Sequence, residues 1–360
     1  MPGVHIARRF DEDRDLGDVI TGIGVRRLLL LLLLIGFVVL VTSRFTDLGH
    51  LVKTLAQGKW YWIVVALVLH IVYFGLYALL YQYGFDAVEV KSEALKLVPV
   101  MFASMVLNAL APTGGTGGAA LFIDDAARRG ESGARAAVGM VLVLIVDLAT
   151  LIPFIIFGMA FMAVHHELRA YHIAGAVALF LFIAFLTLAL VLARALPDRL
   201  ERLFRWVRDA VNHVGAWLKR PHLLDDDWSE KNANQFIDAS ASIAEHPKQL
   251  MYALTLATFL HIVNLAGLYF LFPAFSQSIG LGTLTAGFAM GIVFFVISIF
   301  QGAGAVEGIM TLVYTSAGIP RTKAVVISLT YRGITFWLPL VIGFFMLGRV
   351  GSFNPKDSDY

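Results

Sequence analysis

The chain contains no cysteine, which excludes disulfides, thiolate metal sites and cysteine catalysis. Charge is also scarce: Asp, Glu, Lys and Arg make up 15% of the residues, against about a quarter in a soluble domain. The formal net charge is only +2, so the placement of the charges says more than their sum. No lysine-bearing phosphate loop follows a strand pattern, and there is no nucleophile elbow. No histidines and carboxylates stand at metal-ligand spacing. No cofactor, no metal and no nucleic-acid partner are therefore expected, and an enzyme is not the first reading. What the chain has instead is apolar sequence, with 58% hydrophobic residues and a mean hydropathy of +0.76. This describes an all-α, polytopic membrane protein with most of its mass in the bilayer.

A crossing needs about 20 mostly apolar residues. The spans that meet this are 27–44, 60–82, 136–163, 171–193, 249–272 and 323–348. The first has a basic flank (Arg26, Arg27) and a leucine run from Leu28 to Leu34, but no small-residue cleavage site follows it. It reads as a retained helix and not as a cleaved signal. Two further apolar segments are irregular. Residues 95–111 lead through Pro112 into Thr113-Gly-Gly-Thr-Gly-Gly118, and 280–300 lead through Gln301 into Gly302-Ala-Gly-Ala-Val-Glu-Gly308. Glycine clusters at membrane depth point to broken or re-entrant helices, which survive where protein or a wet cavity covers them. The expected total is about 8 transmembrane helices. Residues 27–348 form the membrane domain, with tails at 1–26 and 349–360.

One long polar segment, 194–248, interrupts the pattern, and it carries Arg194, Arg199, Arg202, Arg205 and Arg208. The bias of basic residues places it on the cytoplasmic side of the inner membrane, together with the N-terminal Arg8, Arg9, Arg26 and Arg27. Leu200, Leu203, Val207 and Val211 fall on one helical face of its first part. That helix either lies on the inner leaflet or packs on the protein. An even number of crossings must separate the two basic regions. The count balances if 113–126 returns across the membrane after 95–111. It also balances if the two together form a hairpin that does not cross.

The two glycine-rich segments match at a constant offset: Gly114 with Gly302, Gly130 with Gly318, Ala136 with Ala324, and Val138 with Val326. Each copy runs apolar helix, glycine-rich break, short amphipathic piece, glycine, then a long apolar helix. If the first copy crosses the membrane the two are inverted, an arrangement used by secondary transporters with midplane sites.

A charge inside a spanning helix costs about 2.5–3.5 kcal/mol on insertion scales and needs a partner or a cavity. Asp147, Glu307 and Arg332 are such charges. They are read as lining a cavity for a charged headgroup, against the alternative of a buried ion pair that fixes helix packing. Asn108 either meets substrate or satisfies backbone freed at the break before Pro112. His70, His261 and Asn264 are read as packing hydrogen bonds. Asp124-Asp125 resembles a metal-diphosphate pair, but beside arginines it reads first as a solvated turn.

Asn108-Ala-Leu-Ala-Pro112 with its glycines and Arg128-Arg129-Gly130, then Gly302-Ala-Gly-Ala-Val-Glu307-Gly308 with Gly318 and Tyr331-Arg332, resemble the two signatures of the flippase-like membrane domain of lysylphosphatidylglycerol synthases. The resemblance covers residues 25–348. It implies a role in moving lipids between leaflets. No aminoacyltransferase sequence follows the last span in these residues, so aminoacyl-lipid synthesis is not carried over. The run Pro112-Thr-Gly-Gly departs from the more polar run of many relatives and leaves headgroup preference open.

The leading expectation is a lipid translocase or lipid-binding transporter acting on a polar or anionic lipid. Its substrate-binding residues would be Asn108, Gly114, Gly115, Gly117, Gly118, Arg128, Arg129, Asp147, Gly302, Gly304, Glu307 and Arg332. The glycines let helix ends approach the headgroup, and the arginines attract anionic lipid at about 1 kcal/mol each. The alternatives are a membrane enzyme acting on a lipid or polyprenyl phosphate through Asp124 and Asp125, and a non-catalytic partner of a lipid-modifying enzyme.

Overall fold

The structure, a computed structural model, describes residues 58–110, 116–217, 224–298 and 304–350. The expected first span at 27–44, both tails, Pro112, Gly114, Gly115 and Gly302 lie outside the described residues. The rest is helical. In chain order the helices are α1 (Trp60–Asp86), α2 (Ala94–Leu110), α3 (Thr116–Arg128), α4 (Gly133–Val164), α5 (Ala170–Ala195) and α6 (Pro197–Trp217). They continue with α7 (Trp228–Glu245), α8 (Pro247–Ala274), α9 (Leu281–Ile297), α10 (Ala305–Ser316), α11 (Arg321–Arg332) and α12 (Leu338–Met346). A π-helical turn, Gly333–Trp337, joins α11 to α12, so the last span is one helix with a local bulge. Five of these are long and apolar enough to cross a membrane: α1, α4, α5, α8 and the α11–α12 helix. The chain is a multi-pass membrane protein.

The five sequence-read spans that fall within the described residues survive with ends shifted by a few residues, and local chemistry explains where they start. Ser132 accepts the Arg135 N–H at 3.2 Å and caps α4. Pro247 opens α8 in its first turn. Gly130 and Gly318, matched in the repeat, both take positive φ (80° and 88°) just past α3 and α10. Only glycine adopts that left-handed stop without strain, which is why both copies keep it there.

The irregular segments are hairpins. Helix α2 has 17 residues and α3 has 13; their partners α9 and α10 have 17 and 12. At about 1.5 Å per residue, even the 17-residue helices reach only about 25 Å, short of a hydrocarbon core of about 30 Å. Helix α2 packs on α3, and α9 packs on α10.

The two hairpins open on opposite faces. The feet of α2–α3 stand beside the polar helices α6 and α7. Ala94 N–H donates to Gln82 Oε1 at 2.9 Å, Arg129 donates to the Lys91 carbonyl, and Arg135 pairs with Glu89. Ser132 reaches Gln235 of α7 at 2.7 Å, and Ser242 of α7 reaches the Ala87 carbonyl at 3.2 Å. The feet of α9–α10 stand at the other end of the spans. There Ser316 donates to Glu167 in the α4–α5 turn at 3.1 Å, and Lys59 N–H donates to the Ala274 carbonyl at 2.8 Å. The described ends of the two helix pairs therefore lie at opposite ends of the spans.

The repeat also extends one helix further than the glycine motifs indicate, because α8 stands at the same offset from α1. These two helices pack antiparallel along their length. Trp62 stacks on Phe270 at 5.3 Å, and Tyr83 meets Tyr252 at 5.4 Å. Each hairpin leans on the long helix of the other copy. Helix α9 packs on α4, where a side chain at Gly158 would run into Ala286 Cα at 3.0 Å. Helix α2 packs on α12, where a side chain at Gly343 would run into the Phe102 carbonyl.

The polar segment contains a second helix that the sequence reading missed. Helix α7 follows α6 and packs on it through Phe204, Trp228 and Phe236, with ring centres 5.8 and 6.1 Å apart. Small residues hide its buried stripe of Ser229, Ala233, Ala239 and Ser242, which carries little apolar periodicity. Leu203 and Trp206 of α6 stay exposed at 53% and 67%.

Candidate functional site

The break in the first hairpin is closed by Asn108. Its Oδ1 accepts the Gly118 N–H at 2.7 Å, satisfying one of the backbone donors left open at the start of α3. Any side chain at Gly118 would collide with the Asn108 amide, so glycine is required for this approach. Of the two expected roles for Asn108, the structure displays the backbone one. Gly117 lies in the same first turn of α3.

The break in the second hairpin is closed by charge. Glu307 Oε2 accepts the Gly304 N–H at 2.7 Å, where Gly304 holds φ +86°. Its other oxygen, Oε1, lies 3.3 Å from Arg332 Nε. The Arg332 side chain is 4% exposed and that of Glu307 14%. The guanidinium also stands over the Phe336 ring at 4.1 Å and beside Phe295 at 5.6 Å. Phe336 belongs to the π turn. Widening a helix by one residue re-aims the side chains that follow, and such bulges gather at functional sites. The sequence placed Glu307 and Arg332 together, and here they are an ion pair joining a hairpin tip to a span.

Asp147 does not join that pair. It lies near the middle of α4, where its Oδ2 accepts the Tyr77 hydroxyl at 3.1 Å and its Oδ1 is 3.4 Å from His261 Nε2. Tyr73, Tyr77 and Tyr81 follow one another at single-turn spacing on α1, with ring centres 5.8 and 5.3 Å apart. A second polar chain continues beside Tyr73. His70 Nδ1 pairs with the Ala66 carbonyl at 2.7 Å, and its Nε2 with Asn264 Oδ1 at 3.3 Å. Tyr331 donates to the same Asn264 oxygen at 2.9 Å. The sequence reading named His70, His261 and Asn264, and each of them hydrogen-bonds a neighbouring group here. It missed the three tyrosines, whose i, i+4 spacing is visible in the sequence but also fits an ordinary aromatic stripe.

An apolar groove of about 260 Å³ reaches His70 of this chain. Leu67, Ile71, Phe74 and Gly75 of α1 form one wall, Met101 and Phe102 of α2 another, and Ile334, Leu338 and Ile342 close it. Ile71 is 65% exposed, so the groove opens sideways on the apolar outer surface of the spans. His70, 1% exposed, lines its floor.

At the polar face Arg128 and Arg129 each bind the aspartate one turn earlier, Asp124 at 2.7 Å and Asp125 at 3.0 Å. Partial burial still pushes the Asp125 carboxyl above its ordinary range, against the pull of Arg129. Each aspartate is thus part of a local ion pair, and among the described residues no group of three metal-binding side chains gathers. A polar pocket of about 360 Å³ lies between the α3–α4 turn and the start of α7. It is lined by Glu131, Ser132, Asp225, Asp227, Trp228 and Lys231 among others.

Comparison with known proteins agrees with the motif resemblance. The family described as the lysylphosphatidylglycerol synthase TM region matches residues 27–343. A protein of Methanothermobacter thermautotrophicus described as a UPF0104 membrane protein is 23% identical over 347 residues, which cover 93% of this chain and 96% of that one.

Proposed function

We propose a lipid-translocating role for this chain, which belongs to the family of the lysylphosphatidylglycerol synthase transmembrane region. The chain binds a polar or anionic membrane lipid from the side and lets its headgroup pass the bilayer centre, without chemical conversion. The observation that carries this reading is the groove between α1, α2 and α12. It is apolar, opens where acyl chains lie, and has His70 as the one polar residue among its lining. A lipid seated there has its tail against Leu67, Phe74 and Met101 and its polar end toward the His70 imidazole. The inverted hairpins add a second argument, since broken helices of opposite direction frame the midplane sites of many secondary transporters.

The polar face is read as cytoplasmic, because it carries the arginines of α6 and of the α3–α4 turn. These residues, with the exposed Leu203 and Trp206, suit contact with an anionic leaflet.

Leaflet exchange tests the reading. The purified chain is placed in liposomes with labelled anionic, zwitterionic and polyprenyl-phosphate lipids, beside Gly75→Leu. A side chain at Gly75 meets nothing within 4 Å, so this substitution fills the groove without disturbing the fold. Protein-dependent exchange of one lipid class, lost in Gly75→Leu, is the expected result. Exchange by Gly75→Leu at the unaltered rate rules out the groove as the path. No exchange of any lipid by folded protein counts against translocation itself.

A further inference from the structure

The mid-membrane pair Asp147 and His261 takes no part in the groove, and its geometry differs from that of the other buried charges. Both oxygens of Glu307 are held, one by Gly304 N–H and one by Arg332. Asp147 has one oxygen held by Tyr77, while Oδ1 is buried without a hydrogen-bond partner. His261 points Nε2 at the Asp147 backbone carbonyl, 2.9 Å away, and its Nδ1 is also buried without a partner. Two side chains in contact therefore keep two empty proton positions.

The surroundings supply little countercharge. Helix α1 presents Tyr73, Tyr77 and Tyr81, and α8 presents His261 with Asn264 one turn further on. Helix α11 contributes Tyr331, bonded to Asn264. On the remaining side the His261 ring meets Phe154, which packs on Phe288 of α9. The charged groups Glu307 and Arg332 pair with each other. Net charge at this depth is expensive. With one proton between them, as carboxylate and imidazolium or as acid and imidazole, Asp147 and His261 are neutral. With none the pair carries −1, and with two it carries +1. The closed bilayer fits the one-proton form, and the others call for contact with water. The Asp147 side chain is 14% exposed against 4% for His261 and lies nearer the edge of the packed interior.

We propose that Asp147 and His261 together form a single-proton binding site that couples lipid movement to a transmembrane proton gradient. Loading adds one proton from water on one face and takes the pair from −1 to neutral. Release returns that proton to water on the other face, and no covalent bond or electron is involved. The coupling rests on the lipid-transport reading, but the proton site does not.

Infrared difference spectra of the purified full chain in lipid nanodiscs, taken between acid and alkaline pH, test the site without any transport. The wild type should lose a protonated-carboxyl or imidazolium band on alkalinisation, and Asp147→Asn should lack that change. Identical difference spectra from wild type and Asp147→Asn overturn the proposal. If Asp147→Asn does not fold, His261→Gln replaces it, since its amide keeps an N–H donor for the Asp147 carbonyl. The titration midpoint should then move by about one pH unit or more; an unmoved midpoint overturns the shared site. In proteoliposomes, an imposed pH gradient should speed exchange by the wild type and leave Asp147→Asn unaffected. A titrating band with gradient-insensitive exchange overturns the coupling. The band without any lipid exchange upholds the proton site and sinks the transport reading.

Discussion

Asn108 and Gly118 meet across the tip of the first hairpin, with the side-chain oxygen of one accepting the backbone N–H of the other at 2.7 Å. The bond acts as a helix cap delivered from outside the helix. Asn108→Ala should cost about 1 kcal/mol, the usual worth of a cap, and Asn108→Asp should cost less because it keeps the acceptor. Gly118→Ala should be worse than either, since its methyl group runs into the Asn108 amide. Unfolding midpoints of the four proteins in one detergent check the order.

The Glu307–Arg332 pair closes the second tip by a different means. Removing one partner strands the other at 4% or 14% exposure, and breaking a buried pair costs about 3–5 kcal/mol. Glu307→Gln and Arg332→Gln should each lower stability sharply, and the double variant should be less unstable than the two losses added. Strict additivity in a double-mutant cycle would show that the pair is not coupled.

Gly343 lies against the Phe102 carbonyl, and backbone cannot give way as a flexible side chain can. Gly343→Val should destabilise by about 1–3 kcal/mol, the range for overpacking. Gly308→Val is the control, because nothing lies within 4 Å of a side chain there. A comparable loss at both positions would mean that helix propensity dominates, not the contact of α12 with α2.

At the polar face two carboxylates should respond to pH with opposite sign. The Arg135 guanidinium holds Glu89 below the ordinary glutamate range. Its contribution is therefore present above the unfolded pKa and lost as pH falls through the lower folded value. Asp125 is pushed up, chiefly by burial. Its contribution is present below the unfolded pKa and lost as pH rises through the higher folded value. Glu89→Gln should flatten the acid limb of stability, and Asp125→Asn should remove a loss that sets in on moving from acid toward neutral pH. Unfolding midpoints across the acid range check both.

The sequence made the long spans legible, because an apolar run of that length has few other uses. The glycine matches pointed to the repeat, and the positive φ of Gly130 and Gly318 supplies its physical reason. The direction of the hairpins was not legible. Hydropathy measures how apolar 95–111 is, but not that α2 packs on α3. The pairing of Glu307 with Arg332 was within reach, since isolated charges in a bilayer seek each other. The separate grouping of Asp147 with Tyr77 and His261 was not, because it depends on how α1, α4 and α8 rotate against one another. Helix α7 escaped because alanine and serine bury well without looking hydrophobic.

The account depends most on hairpins that open on opposite faces. The chain has no cysteine of its own, so single cysteines report without background. Ala127, at the foot of α3, and Ala317, just past α10, are both exposed. Ala127→Cys and Ala317→Cys, each in sealed vesicles of known orientation, would be treated with a membrane-impermeant maleimide. The account predicts labelling of the two positions from opposite sides of the membrane. Labelling of both from the same side would contradict the inverted repeat and remove the second argument for transport.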